Sequence, residues 1–357
     1  MKIAVITCYD QNDYVRARTL RRAFAACEGV EVVVIKNQHK GLVRYIEVPL
    51  KILHARLTGE FDAYVLTFRG YEMLLFMRLT WVRKPVIFDE LVNFIEYYEE
   101  HEKIRKSTWV YGLLRRLYTW QVRGCALILA DTLAHAKYSA SVVGLPLSTF
   151  RVLPISADEN IFSPKLVKRP KEDIFTVFYY GNGMTPLQGL EHVLEAAVLL
   201  KDIASIQFQI VGGDKRAASA CNEAQRQGAH ITYEAWVPFE KMADRFRTSG
   251  ICLGGPFGKT LQSRFVVTGK TTQIMACALP VIVAENKASG IFKDKVNCLL
   301  IPQADPKALA SAVRWAQSHQ KQLQAIGQAG RRLYEQHFSQ RVSNQVVESI
   351  VQDLSHD

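Results

Sequence analysis

The chain has 357 residues, 48% of them hydrophobic, and a formal net charge of +11 at pH 7. That excludes a disordered polymer and leaves room for two domains, each with its own core. No apolar run approaches the roughly 18 residues of a membrane span, and seven scattered cysteines without a C-x-x-C pair indicate neither a disulfide framework nor a zinc site. Met1-Lys2 runs straight into the strand-like Ile3 to Thr7, without a secretory leader pattern. A soluble, cytoplasmic protein using no metal and no cofactor is expected.

In chain order, KIAVITCY reads as a buried strand, Tyr14 to Cys27 as a helix and VEVVVIK as a second strand. Further strands are expected at Ala63 to Thr67, Pro85 to Phe88 and Ala126 to Ala130, with helices between them. Asp131-Thr132 then forms an N-cap for a helix through Tyr138. This is the rhythm of a parallel α/β sheet. The stretch from Ile104 to Arg123 mixes Arg105, Lys106, Arg115, Arg116 and Arg123 with Trp109, Tyr111, Leu113, Leu117 and Trp120. At helical spacing it is either an ordinary amphipathic helix packed on the sheet, or an apolar face with a basic, aromatic rim suited to an anionic bilayer.

The segment RVLPISADENIFSPKLVKRPKED, from Arg151 to Asp173, breaks the rhythm with prolines and charges and reads as a linker. Alternation then restarts with strands TVFYYG, IQFQIVGG, HITYEAWV, ICLGG and PVIVAE and a short one at Leu299 to Ile301. Helices are expected at Leu187 to Leu200, Glu240 to Arg247, Thr271 to Cys277 and from Pro306, where Asp305 is the cap, with a helical tail beyond Gln322. The expected domains are 1–155 and 174–336, joined by a linker at 156–173, with a C-terminal helix at 337–357 packing back on the first domain. Two doubly wound sheets would face each other across a cleft, with ligands at the carboxyl ends of the strands.

Four strand-end loops of the second half carry candidate binding residues. Gly181-Asn182-Gly183-Met184-Thr185 opens onto a helix and can present backbone N–H groups to an anion. Gly212-Gly213-Asp214 is a tight turn or part of the same site. In Trp236-Val237 the indole lines a base pocket or packs in the core, and for a single Trp the core is favoured. The fourth loop contains Gly-Lys-Thr twice, at Gly258-Lys259-Thr260 and Gly269-Lys270-Thr271, yet a P-loop needs a further glycine where this chain has Leu253 and Arg264. What remains is a basic loop with Lys259, Arg264 and Lys270, and no Asp or Glu between Ile251 and Ala284. Its cations are either solvated or hold a diphosphate at the helix of Thr271, and the second reading is the more economical.

From Val152 to His337 the chain resembles the nucleotide-sugar-binding domain of family 4 of the retaining GT-B glycosyltransferases. PISADENIFSP resembles the family's interdomain segment, YGNGMTPLQGLEHVLEAAVLL its Gly-Arg…Lys-Gly loop and helix, and QIMACALP its Glu-Ala-Met-Ala-x-Gly-x-Pro helix. IQFQIVGGD and ITYEAWVPFEKMADRFRTSGICL fall between them in the family's order. The resemblance implies an α/β, GT-B fold of two Rossmann-like domains facing across a cleft. The implied activity is transfer of a hexose, with retention, from a UDP- or GDP-sugar.

The departures fall on residues the family uses. The Arg and Lys that grip the donor diphosphate correspond to Asn182 and Gln188. The second of the family's two donor-site glutamates falls on Gln273, the first on Gly255, and extra residues separate Phe257-Gly258 from the helix. The expectation is that Lys259, Arg264 and Lys270 replace the lost cations, while Gln273 bonds a ribose hydroxyl. Where many members have a catalytic His this chain has Asp89, which either acts on an acceptor hydroxyl or caps a helix near Leu91. Glu90 and Asn93 are placed near the acceptor, expected to be a lipid-linked or lipopolysaccharide-type glycan at an anionic membrane surface, and Arg16, after the first strand, either contacts that acceptor or faces solvent. Nothing beyond charge speaks for nucleic acid. The alternative is a catalytically weak GT-B protein acting as a binding or scaffold partner.

Overall fold

The computed structural model describes residues 1–8, 15–39, 41–68, 70–80, 83–100, 108–165 and 174–356. It divides into two units, Met1–Pro154 with Gln340–Asp357, and Ile155–Ser339. No helix among the described residues is long and apolar enough to cross a membrane.

The first unit runs β1 (Lys2–Thr7), α1 (Val15–Ala25), β2 (Glu31–Lys36), α2 (Arg44–Thr58), β3 (Ala63–Leu66), α3 (Tyr71–Leu79), β4 (Val86–Asp89), α4 (Phe94–Glu100), α5 (Trp109–Val122), β5 (Leu127–Ala130), α6 (Leu133–Val143) and β6 (Phe150–Val152). The strands form one parallel sheet in the order β2-β1-β3-β4-β5-β6. Its central strands are buried on both faces, which is why they read as apolar runs without alternation. One face packs Val48 and Ile52 of α2, Met73 and Leu74 of α3 and Tyr118 and Val122 of α5 against Ile6, Leu66 and Phe88. On the other face Leu20 and Phe24 of α1 meet Ile3, Val65 and Leu129, together with Val347 and Ile350 from the far end of the chain. Those two residues lie on α13 (Gln340–His356), which packs along α1.

One correction concerns the expected linker. The segment opening at Arg151 begins as a strand: Phe150, Arg151 and Val152 pair with Ile128, Leu129 and Ala130. Buried Phe150 and Leu153 anchor it, an apolar pattern too short to stand out beside the prolines that follow.

The second unit runs β7 (Phe175–Gly181), α7 (Leu190–Leu199), β8 (Ile206–Gly212), α8 (Lys215–Arg226), β9 (Ile231–Glu234), α9 (Met242–Thr248), β10 (Ile251–Gly255), α10 (Gly269–Ala276), β11 (Val281–Ala284), β12 (Leu299–Ile301), α11 (Pro306–Ser318) and α12 (Gln320–His337). The order β9-β8-β7-β10-β11-β12 is all parallel and is the doubly wound dinucleotide-fold order, reversing direction between β7 and β10. α7 starts later than its apolar pattern suggests. Pro186–Gln188 form a single 3-10 turn ended by Gly189 at φ 66°, where an added Cβ would sit 2.4 Å from Gly258 N. α10 starts earlier, at Gly269, because Thr268 caps it by accepting from Thr271 N. α8 was not singled out in the sequence; its cap is Asp214, whose carboxylate accepts from Arg216 N and Ala217 N.

Because Ile350 lies 1% exposed in the first unit's core, Ile350→Ala should cost about 2–4 kcal/mol of stability. Urea denaturation read on the first unit checks this; an unchanged midpoint would remove α13 from that core.

Candidate functional site

In doubly wound sheets a crevice opens outside the carboxyl ends of the strands where the order reverses. In the second unit that point is flanked by the loops after β7 and β10, which pack closely on each other. Gly258 N donates to Leu187 O at 3.1 Å, and a Cβ on Gly258 would meet Pro186 O at 1.8 Å. A Cβ on Gly181 would fall 1.8 Å from Gln188 Oε1, and one on Gly213 2.9 Å from Met184 Cγ. The inserted loop is anchored as well. Asn286 Nδ2 donates to Ser263 O and Val266 O, both at 2.9 Å, and Gln303 Nε2 donates to Ser263 O at 2.9 Å.

Lys270 stands in the first turn of α10, held there by Thr268, whose hydroxyl donates to Gly254 O at 2.7 Å. The side chain is buried. Its Nζ donates to Tyr179 Oη at 3.2 Å and lies 4.3 Å from the centre of the Tyr179 ring and 6.0 Å from that of Tyr180. Tyr179 Oη in turn donates to Gln188 O at 2.6 Å, and Tyr180 Oη donates to Gln273 Oε1. Gln188 Oε1 is buried without a hydrogen-bond partner. Burial alone lowers the Lys270 ammonium to a pKa of about 7, since no carboxylate among the described residues pairs with it. A cation in the first turn also opposes the helix dipole. Among the described residues its compensation is a phenol and two ring faces, worth at most a few kcal/mol. A doubly charged anion at the strand ends would reverse both penalties.

The other residues expected at the donor divide into two groups. Asn182 and Gly183 are exposed at the tip of the loop after β7. Trp236 is 75% exposed, which corrects the core reading: its neighbour Val237 fills the core, and the indole stands in solvent after β9. Lys259 and Arg264 are exposed and Lys270 is buried, so the basic loop presents one buried lysine and two cations on its surface. Gly258 and Thr271 serve the packing, Thr271 Oγ1 lying 3.1 Å from Thr268 Oγ1.

In the first unit the polar residues at the ends of β4 and β5 turn inward. Asp89 is 1% exposed, and both of its carboxylate oxygens accept from Arg16 Nε, at 2.8 and 3.1 Å. Arg16 Nη2 also pairs with Asp89 Oδ1 at 2.7 Å, and Nη1 donates to Leu153 O at 2.6 Å. Burial raises the Asp89 carboxyl and Arg16 opposes the rise. The N-cap reading of Asp89 is corrected: α4 begins at Phe94, and Asn93 Oδ1 caps it by accepting from Ile95 N at 2.9 Å. Glu90 accepts from Tyr118, Ser139 and Asn93 Nδ2. Arg16, Glu90 and Asn93 are thus buried and bonded within the unit. The residues after β1, 9–14, lie outside the described residues.

Sequence reasoning missed two features. Tyr179 and Tyr180 were read only as part of a strand, although a Tyr pair at a strand's carboxyl end next to a Gly-rich loop is a recognisable signal. His135 was missed as well: it is fully buried, with Nδ1 2.7 Å from Asp131 Oδ1 and Nε2 3.5 Å from Glu96 Oε2. Burial alone would lower this imidazole, but the Asp131 hydrogen bond and charge, joined by Glu96, outweigh it and raise it well above the usual range. The i,i+4 spacing of Asp131, just before α6, and His135, in its first turn, was its signal. A cavity of 310 Å³ opens between α3, α4 and α5, lined by Tyr71, Phe94, Tyr97, Tyr98 and Leu117 among others. Among the described residues no group of His, Cys, Asp and Glu is arranged to hold a metal ion.

Residues 191–348 match the model of a family described as glycosyl transferase-like. A search of the curated proteins found no match. Among solved structures the chain is similar to a sucrose-phosphate synthase from Thermosynechococcus elongatus, at TM-score 0.79 and 14% identity over 99% of each chain. It is similar to HepE of Anabaena in complex with UDP-glucose, at TM-score 0.72 and 14% identity over 99% of this chain and 100% of that one. A glycosyltransferase from Rickettsia africae aligns at TM-score 0.71 and 11% identity, over 99% and 98%. The fold is GT-B.

On this GT-B frame the neutral Asn182 and Gln188 stand where the family resemblance implies cations, and Lys270 reaches the same loop from α10 through Tyr179. The charge of Lys270 should be measurable as lost stability. An ordinary lysine has its pKa at 10.5, so the unfolded chain binds the proton more tightly than the fold does between about 7 and 10.5. The penalty is therefore complete below pH 7 and fades as pH rises toward 10.5. Lys270→Met should stabilise the ligand-free protein by roughly 3–5 kcal/mol at pH 6–7. Thermal melts should show the gain shrinking toward pH 10; destabilisation at every pH would refute the reading.

Proposed function

We propose that the protein is a nucleotide-sugar-dependent glycosyltransferase that moves a hexose with retention from a UDP- or GDP-sugar to a lipid-linked or other cell-envelope glycan at the cytoplasmic face of a membrane. The observation that carries this is Lys270, a buried ammonium without a carboxylate partner among the described residues, at the strand-order reversal of a GT-B unit. The glycosyl transferase-like match over residues 191–348 and the likeness to a HepE structure containing UDP-glucose support it.

In this reading the diphosphate lies over the first turn of α10. The bond from the anomeric carbon to the diphosphate breaks with its electron pair going to the phosphate oxygen, and Lys270 neutralises that charge. The acceptor oxygen bonds to the anomeric carbon on the face the diphosphate leaves, and its proton passes to the departing phosphate. The backbone N–H groups of Asn182 and Gly183, with Lys259 and Arg264, approach the phosphates from the loops. Gln273, beside Tyr180, receives a ribose hydroxyl, and exposed Trp236 stacks on the base. On the acceptor side Asp89 acts as a positioning residue through Arg16, and the aromatic cavity beside α5 takes the apolar part of the acceptor.

The second reading, a catalytically weak GT-B binding partner, has the neutral Asn182 and Gln188 in its favour. Titration calorimetry with UDP and with GDP tests the donor site. Lys270→Ala should weaken the preferred nucleotide by about 10–100-fold, the value of a charge-assisted contact to phosphate. Unchanged affinity would refute the donor reading; binding without donor hydrolysis or transfer above background would leave the binding partner.

A further inference from the structure

The outer surface of the α2, α3 and α5 layer has two features that the donor site does not use. On α2, Val48 and Ile52 face the core, while Ile46, Leu50, Leu53 and Leu57 line the opposite face and stand 66%, 59%, 41% and 78% exposed. α5 behaves alike: Tyr118 and Val122 are buried, and Trp109, Leu113, Leu117 and Trp120 are exposed. The helices form one continuous layer. Arg56 of α2 donates to Thr80 O at the end of α3, and the Arg78 guanidinium of α3 lies 4.9 Å from the Trp120 ring of α5. Exposed apolar stripes on the two helices that flank α3 mark a candidate interaction surface.

The charge beside the stripe indicates which partner. Arg115, Arg116 and Arg123 line a groove of 520 Å³ along α5, closed by Trp120 and the end of α6. Arg115 is anchored to Val142 O at 2.9 Å. No Asp or Glu occurs between Lys103 and Ala130, and the one acidic residue of α2, Glu47, is held by Lys51 at 2.5 Å. A second copy of this chain would bring the arginine groove toward its own like charge in a two-fold pair. An anionic bilayer offers acyl chains to the stripe and phosphates to the groove.

We propose that the α2–α3–α5 layer seats the protein on an anionic lipid bilayer, with Ile46, Leu50, Leu53 and Leu57 in the acyl boundary and Arg116 and Arg123 on lipid phosphates. The proposal does not depend on sugar transfer. Flotation tests it with vesicles of phosphatidylcholine alone or with added phosphatidylglycerol. The wild-type chain should float with the anionic vesicles only. Arg116→Gln/Arg123→Gln should lower the partition about thirtyfold, and Leu50→Ser/Leu53→Ser should lower it by about tenfold or more. UDP affinity, measured in every variant, should remain at the wild-type value, which separates this seat from the donor site. Failure of the wild type to float, variants that float like the wild type, or a solution dimer that the α2 substitutions dissociate would each overturn it.

Discussion

The site in the second unit depends on one uncompensated charge. Lys270 carries its ammonium into a buried position at the start of a helix, where desolvation lowers its pKa to about 7 and the helix dipole repels it. Folding stability alone would favour Met or Leu there. The surroundings nevertheless hold the ammonium in place: Thr268 fixes the helix start, and Tyr179 ties Nζ to the loop after β7. A buried cation with no carboxylate partner among the described residues is what the proposed diphosphate would complete.

The backbone around it is arranged for close approach. The reversal of strand order between β7 and β10 brings two loops together, and Gly189 and Gly258 let them touch where a Cβ would collide with backbone. Anchoring by Asn286 and Gln303 makes the inserted loop a fixed wall. Preorganisation of this kind is what stabilisation of a developing phosphate charge requires, since the donors need not move during reaction. The first unit has a different character: its buried charged residues are bonded to neighbours within the unit, Asp89 to Arg16, Glu90 to Ser139 and His135 to Asp131.

The sheets were legible because parallel strands buried on both faces leave apolar runs that turn residues punctuate, and the strands from β7 to β12 lie where those runs place them. β6 escaped because three residues beside prolines carry too little pattern. The basic loop was legible as composition, but its division into one buried and two exposed cations was not: burial of Lys270 goes with helix α10 starting two residues early, at Gly269, where Thr268 caps it. Arg16, Asp89, Glu90 and Asn93 were visible as polar residues near strand ends. Their mutual pairing depends on contacts between elements as distant as Arg16 and Asp89, which spacing along the chain does not encode. Trp236 stands outside because Val237 takes the core position, a choice that alternation by itself leaves open.

The central claim is that burial holds the Lys270 pKa near 7 and that a bound diphosphate raises it. Calorimetry of UDP binding at pH 8 in buffers of different ionisation enthalpy measures the protons taken up on binding. With a free-state pKa of about 7 and a bound-state value raised by the phosphates, the wild-type chain should take up nearly one proton per UDP, and Lys270→Met none. Binding without proton uptake, or uptake of the same size in both proteins, would contradict the account.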